Sequence, residues 1–304
     1  MNSESTSVIT NMLSPLSPIP TGISPFWHLN SPIRAVLFDI YGTLLISGTG
    51  DIGVASTQRD TFGMGAIFSA SGFTTAYDEI GDTVPDLLEQ WITARHTELR
   101  SEGIDYPEVD IRAVWSHVLQ DLWDRGLLVT DPSNRETEML ALRHELAVNP
   151  VWAMPGFPDI VEEITSRGLL AGIVSNAQFY TPLILEALAG KALDEIGFHP
   201  DLKTWSYEIS RAKPSVEIFT EPLERLTHEG ISPEEVLYVG NDMLNDITAA
   251  SRAGCRTALF AGDSRSLRMR EGDERIKGVE PDIILTDLDQ LKNLTLQGAR
   301  YAEG

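Results

Sequence analysis

Four short apolar runs, each stopping at a polar or acidic residue, constrain this chain more than any other feature of its sequence. Ile33-Arg34-Ala35-Val36-Leu37-Phe38 stops at Asp39, and Leu169-Leu170-Ala171-Gly172-Ile173-Val174 stops at Ser175-Asn176. Val236-Leu237-Tyr238-Val239 stops at Gly240-Asn241-Asp242, and Arg256-Thr257-Ala258-Leu259-Phe260 stops at Ala261-Gly262-Asp263. Asp282-Ile283-Ile284-Leu285 makes a fifth run. Runs of this kind suit strands buried on both faces. Helical patterns lie between them, such as Ser215 to Leu226 and Phe157 to Arg167, the latter with Pro158 near its start and Gly168 just past its end. Strands alternating with helices predict an α/β fold with an open, doubly wound parallel sheet. Such sheets bind ligands at the carboxyl ends of their strands, and Asp39, Ser175 and Asp242 fall there.

One interval breaks the alternation. The 135 residues between Asp39 and Ser175 exceed what a single crossover needs. Val84, Leu87, Leu88, Trp91 and Ile92 fall at helical spacing within 83–103, and Ile111, Val114, Trp115, Val118, Leu122 and Trp123 do so within 108–126. A third helix is expected from Ser133 to Ala147. The interval reads as an all-helical insertion. Residues 1–30, rich in Ser, Thr and Pro with Glu4 as their one charge, read as an irregular tail whose Phe26 and Trp27 pack onto the domain.

Composition narrows the function class. Lys and Arg number 23 against 45 Asp and Glu, a net charge of −22, and that balance disfavours binding to nucleic acid or to an anionic membrane surface. No run of apolar residues is long enough to span a bilayer. No basic, apolar leader opens the chain, and its first Arg is Arg34, so neither a secretory signal nor a transit peptide is expected. The lone Cys255 leaves no intrachain disulfide and reads as a small buried residue; a reducing, cytoplasmic location is expected.

The strand ends carry the chemistry. Phe38-Asp39-Ile40-Tyr41-Gly42-Thr43-Leu44 puts a carboxylate at the end of a buried strand, among free backbone amides, where it can act as a nucleophile on phosphorus or carbon. Ser175-Asn176 supplies a hydroxyl and an amide. In Ala212-Lys213-Pro214-Ser215 a cation precedes a helix. Gly240-Asn241-Asp242-Met243-Leu244-Asn245-Asp246 places two acids four apart. A nucleophilic acid, a hydroxyl, a Lys and a pair of acids suit phosphoryl transfer, the Lys offsetting phosphate charge and the acids holding a hard dication.

These four segments, in this order, resemble the haloacid dehalogenase (HAD) superfamily of hydrolases over about residues 33–290. The resemblance implies a Rossmann-like core with a cap inserted after the first strand: core 31–52 and 150–304, cap 53–149. It implies Asp39 as nucleophile, Ser175 binding the transferred group with Asn176 beside it, and Lys213 stabilising nucleophile and intermediate. Asp242 and Asp246 would hold Mg2+, aided by Asp39 and the Tyr41 carbonyl. Thr43 would order the nucleophile loop and Gly42 would permit its turn. The resemblance implies a hairpin flap beside the nucleophile over Gly42 through Gly48 and Gly50 to Gly53, whose glycines serve either turns alone or a mobile gate, the gate being favoured because cap movement must open the site.

Tyr41 departs from the phosphatase pattern, in which an Asp at that position protonates the leaving group. A phenol, with an unperturbed pKa of ~10, can donate a proton but is a poor base at neutral pH. Asp-x-Tyr-Gly-Thr is similar instead to the metal-free dehalogenase branch. Three features oppose that branch: Arg59 is the first Arg after Asp39 and nothing marks it as a halide-binding match, Phe219 stands where the branch has an aromatic hydroxyl, and Asp242 would have no use without a metal. The expected activity is therefore a Mg2+-assisted hydrolase acting through an aspartyl intermediate on a small phosphorylated metabolite. A 2-haloacid dehalogenase and a HAD-fold binding module are the alternatives. The fourth motif leaves open whether Asn241 or Asp242 faces the metal; a carboxylate is the better ligand for a hard dication, which favours Asp242. The cap's Trp91, Trp115, Trp123, His96 and His117 read as packing or exposed residues, and Arg265, Arg268 and Arg270 as a solvated helix face. Oligomeric state is not legible.

Overall fold

The computed structural model describes residues 3–29, 31–49, 63–77, 80–132 and 134–294. Its strands are β1 (Phe26–Trp27), β2 (Ala35–Phe38), β3 (Leu45–Ser47), β4 (Val151–Ala153), β5 (Leu170–Ser175), β6 (Phe198–Trp205), β7 (Val236–Gly240), β8 (Arg256–Phe260) and β9 (Ile283–Leu285). Seven of them form one sheet in the order β1-β9-β8-β7-β2-β5-β6, parallel throughout except for β1, which runs antiparallel to β9. The fully buried Ala35-Val36-Leu37-Phe38 lies inside the sheet, between β7 and β5. Phe38 pairs with Ile173 of β5 on one side and with Val239 of β7 on the other. The chain thus leaves β2 toward both flanks, the switch point at which α/β sheets open a ligand crevice. Asp39, Ser175 and Asn241 emerge together at that edge.

Helices cover both faces. Val36, Phe38, Ile160 and Ile164 lie in one buried cluster; Leu37, Ile218, Phe219, Tyr238 and Ala250 lie in another. The first cluster also takes in residues of α1 (Ser3–Met12), as described below. The insertion forms α2 (Met64–Ala70), α3 (Ile80–Ser101), α4 (Ile111–Asp124) and α5 (Asn134–Val148); the last three fall on the helices expected there, and α2 is additional. These helices bury Phe68, Val84, Trp115, Val118, Leu122 and Leu140 in a cluster of their own. Trp91 stacks on His117, while Trp123 is exposed. The antiparallel pair β3 and β4 closes the stem where the insertion leaves and rejoins the core. The expected cap boundary at 52/53, Arg59, Gly50, Gly53 and Ser133 lie outside the described residues. The helices α6 (Asp159–Ser166) and α7 (Tyr180–Ala189) flank β5. Among the described residues, no helix is long and apolar enough to cross a membrane.

Three elements differ from the expectation. The tail is not irregular throughout: α1 buries Val8 and Ile9 in the cluster that holds Leu142 of α5 and Ile184 of α7, and β1 extends the sheet. The strand β6 was not anticipated. Its Phe198-His199-Pro200-Asp201 start carries no apolar run, and a Pro is tolerated because β6 is an edge strand. The helix expected from Ser215 begins as a 3-10 turn, Val216–Phe219, and becomes an α-helix only at Thr220–His228.

Candidate active site

Asp39 leaves β2 into a turn tightened by hydrogen bonds from Gly42 N to Leu45 O (2.7 Å) and from Thr43 N to Ile40 O (3.0 Å). Gly42 has φ +83°, and a Cβ there would lie 2.6 Å from the Asn241 side chain; a larger residue is excluded on both counts. Thr43 Oγ1 donates to Asn241 Oδ1 (3.2 Å), tying the nucleophile turn to the end of β7.

The buried Asp39 carboxylate receives two donors on one oxygen. Ser175 Oγ lies 2.8 Å and Lys213 Nζ 2.6 Å from Oδ1. Among the described residues Oδ2 accepts no hydrogen bond. Lys213 Nζ also donates to Asp246 Oδ1 at 2.6 Å and to Tyr238 OH at 2.9 Å, while Tyr238 OH donates to Val174 O at 2.7 Å. Burial disfavours the Lys213 ammonium, yet Asp246 and Asp39 outweigh it and raise its pKa, so it stays charged. Burial pushes the Asp246 carboxyl up to about 7, against the pull of Lys213. Gly240 makes room for that carboxylate, since a Cβ there would lie 2.4 Å from Asp246 Cγ.

Asn176 lies beside Ser175 and reaches the Lys213 backbone. Its Oδ1 accepts from Lys213 N (2.7 Å) and its Nδ2 donates to Lys213 O (3.3 Å), so it clamps the Lys213 backbone.

Asp242 departs from expectation. Its Oδ1 accepts from Leu244 N (2.8 Å) and Asn245 N (3.2 Å), capping the turn that follows, and Arg270 grips both its oxygens at 2.5–3.1 Å. A carboxylate spent on a helix cap and a guanidinium fork is not free to pair with Asp246 on a cation. The turn Met243–Thr248 is wound as a π-helix, and that extra residue brings Asp246 inward: its Oδ2 accepts from Asp242 N at 2.9 Å. The inward pair is Asn241 and Asp246. Arg265, Arg268 and Arg270 form no helix face; Arg265 pairs with buried Asp263 and Arg270 with Asp242.

Tyr41 is buried, and its hydroxyl lies 3.0 Å from Thr181 Oγ1. Burial, then the charge of Glu145, raise its pKa, so the phenol holds its proton and is not a base. Glu145, from α5, accepts from Tyr180 OH (2.9 Å) and Asn149 Nδ2 (3.1 Å), and burial raises its pKa too. Sequence reasoning missed Tyr238, Thr181, Glu145 and Arg270. Tyr238 was on the page as the one hydroxyl in an apolar run; the others carry no local signal.

A hard dication is implied by the phosphatase pattern; among the described residues no group of three or more His, Cys, Asp or Glu could hold one, but the groups at the strand edge are oxygens, as such an ion prefers. Mg2+ binds through one or two carboxylates, keeping waters and taking substrate oxygens. Asp39 Oδ2 and Asn241 Oδ1 lie at one strand edge with the Tyr41 carbonyl in the Asp39 turn, and Asp246 stands behind them, its Oδ1 held by Lys213 and its Oδ2 by Asp242 N.

A family model described as haloacid dehalogenase-like hydrolase matches residues 33–254. The chain is 25% identical, over 74% of its length and 80% of the relative's, to an N-acetylmuramic acid 6-phosphate phosphatase of Pseudomonas aeruginosa. It is 23% identical, over 81% of its length and 90% of the relative's, to the Rhythmically expressed gene 2 protein of Drosophila melanogaster. The solved structure of a 2-haloacid dehalogenase from Pseudomonas syringae pv. Tomato DC3000 superposes with a TM-score of 0.54 at 18% identity, covering 87% of this chain and 99% of that one; it shares the fold.

Proposed function

The chain belongs to the haloacid dehalogenase-like hydrolases, and we propose that within that family it hydrolyses a phosphate monoester of a small metabolite through an aspartyl phosphate on Asp39. One observation carries the reading. Ser175 and Lys213 hold Oδ1 of Asp39 and orient the carboxylate, while Oδ2 accepts no hydrogen bond among the described residues and is the oxygen left to attack. The similarity to a sugar-phosphate phosphatase over most of both chains supports phosphorus as the centre attacked.

In the first step Oδ2 forms a bond to phosphorus and the ester P–O bond breaks, the leaving alkoxide taking up a proton from solvent water. Lys213 stays cationic and offsets charge on the transferred group. In the second step water adds to phosphorus, the acyl phosphate bond breaks, and Asp39 and inorganic phosphate are regenerated. Mg2+, held by Asp39, the Tyr41 carbonyl and Asn241 with Asp246 behind, would screen the nucleophile from a dianionic substrate. Asp242 is left out of that set. Tyr41, bonded to Thr181 and locked in its neutral form, gives little help to a leaving group, so esters with acidic leaving groups are favoured.

A second reading is favoured by Tyr41 and by the commitment of Asp242 to Arg270: attack of Asp39 on a halogenated carbon, with halide leaving and no metal needed. Assays of phosphate and of halide release, with and without Mg2+, on wild type and Asp39→Asn separate the two.

A further inference from the structure

The insertion reaches into the core behind the catalytic Lys through one buried acid. Residues 106–108 of the insertion run antiparallel to residues 210–212, directly before Lys213. Ala212 N donates to Tyr106 O (2.8 Å), Glu108 N donates to Ser210 O (3.1 Å), and Pro107 bridges Arg211. The Glu108 side chain then turns inward. Its Oε2 accepts from Ser206 Oγ at 3.0 Å, and Ser206 Oγ accepts from Ala177 N at 2.9 Å. Its Oε1 is 3.3 Å from Gln178 Nε2, and Gln178 holds the Val109 carbonyl and the Ile111 amide at 2.8 and 2.9 Å. One side chain of the insertion is therefore joined to both loops that carry the site: Ala177 follows Ser175-Asn176, and Ser206 opens the segment that ends at Lys213. Asn176 links those loops again through the Lys213 backbone.

We infer that Glu108 is a positioning residue that makes the placement of Lys213 depend on the insertion being seated on the core. It touches no reacting atom. When the insertion is seated, Glu108 holds Ser206 and Ala177, and the backbone bridge at 106–108 holds Ala212, so the Lys213 ammonium stays on Asp39. When the insertion lifts, both supports leave together and the site loosens. A cap that must open for substrate thereby switches the Lys off until it closes again. The inference rests on the insertion acting as a cap over an Asp39-centred hydrolase.

The geometry chooses the conservative variant. Ser206 Oγ is also 3.3 Å from Ala177 O, so a group that donates to Ser206 can replace one that accepts from it. Glu108→Gln satisfies the junction; Glu108→Ala and Ser206→Ala break it. The test uses the full chain, p-nitrophenyl phosphate with Mg2+ as probe, and amide hydrogen exchange at residues 206–213. Glu108→Ala and Ser206→Ala each lower kcat about tenfold or more with KM little changed, the double variant is no worse than either single one, and exchange at 206–213 quickens. Glu108→Gln restores kcat to within about threefold. Should Glu108→Ala fold poorly, Ser206→Ala and Glu108→Gln decide the matter. If wild type turns over no phosphate ester, the proposed reaction fails and exchange alone judges this inference. Exchange at 206–213 that is unchanged in Ser206→Ala, or additive losses of kcat in the double variant, overturn it.

Discussion

The ammonium of Lys213 lies 2.6 Å from Asp39 and equally close to Asp246, all three side chains buried. Removing one member of a buried ionic group strands the others and costs about 3–5 kcal/mol. Lys213→Met is therefore expected to lower stability by about that amount and kcat by about a hundredfold or more. The two remaining acids then repel each other. Its stability relative to wild type recovers as pH falls, because the Asp246 carboxyl, already raised by burial and now without the pull of Lys213, takes up a proton and the repulsion is removed. Denaturant melts at pH 5.5 and 8 check this; a deficit that widens at low pH contradicts it.

Tyr41→Phe removes a hydroxyl that faces Thr181. Thr181 Oγ1 keeps its bond from Gln178 N, so the loss of stability is about 1 kcal/mol. Activity is expected to stay within about threefold on substrates with acidic leaving groups. Tyr41→Asp is expected to speed poor leaving groups selectively, read as a shallower dependence of rate on leaving-group pKa. An equal slope in the two proteins removes the argument for acidic leaving groups.

Asp242 and Asn241 are expected to separate in a metal titration. Asp242→Asn breaks the Arg270 fork and weakens a cap, costing about 1–2 kcal/mol, while the Mg2+ needed for half-maximal activity stays within about twofold. Asn241→Asp adds a carboxylate beside the nucleophile turn and lowers that Mg2+ requirement about tenfold. The reverse pattern would return the metal to Asp242.

Burial pushes the Glu108 carboxyl up to about 7, with the hydrogen bonds from Ser206 and Val109 N opposing it, and Tyr180 is a titratable neighbour. The folded state holds this proton more tightly than the unfolded chain, whose Glu titrates near 4.5. Stability from this group is full below about 4.5 and is lost as pH rises to about 7. Glu108→Gln cannot ionise, so its melting temperature, relative to wild type, is expected to climb across that window and level off above it. A difference that does not change with pH contradicts the burial argument.

The legible and illegible parts of this molecule differ in physical kind. The strands β2, β5, β7 and β8 announce themselves because a strand buried on both faces must be apolar along its length, and the acid or hydroxyl that ends each run stands out. Lys213 was legible as a cation just before a helix, and Asp246 as an acid just past a strand end. The strand β6 was not, since an edge strand tolerates His199, Pro200 and Asp201. Nor was α1, whose Ser- and Thr-rich sequence becomes helical by burying Val8 and Ile9 against partners more than a hundred residues away. Asp242 misled for a related reason. The carboxylate's identity was visible, but Arg270, 28 residues later, decides where it points.

The central claim is that Asp39 carries a phosphoryl group. The most direct measurement is release of inorganic phosphate and of halide from parallel substrate panels, with Mg2+ and with chelator, by wild type and Asp39→Asn. Phosphate release that needs both Mg2+ and Asp39, with no halide released, is the predicted result; halide release that Asp39→Asn abolishes and chelator leaves untouched would contradict it.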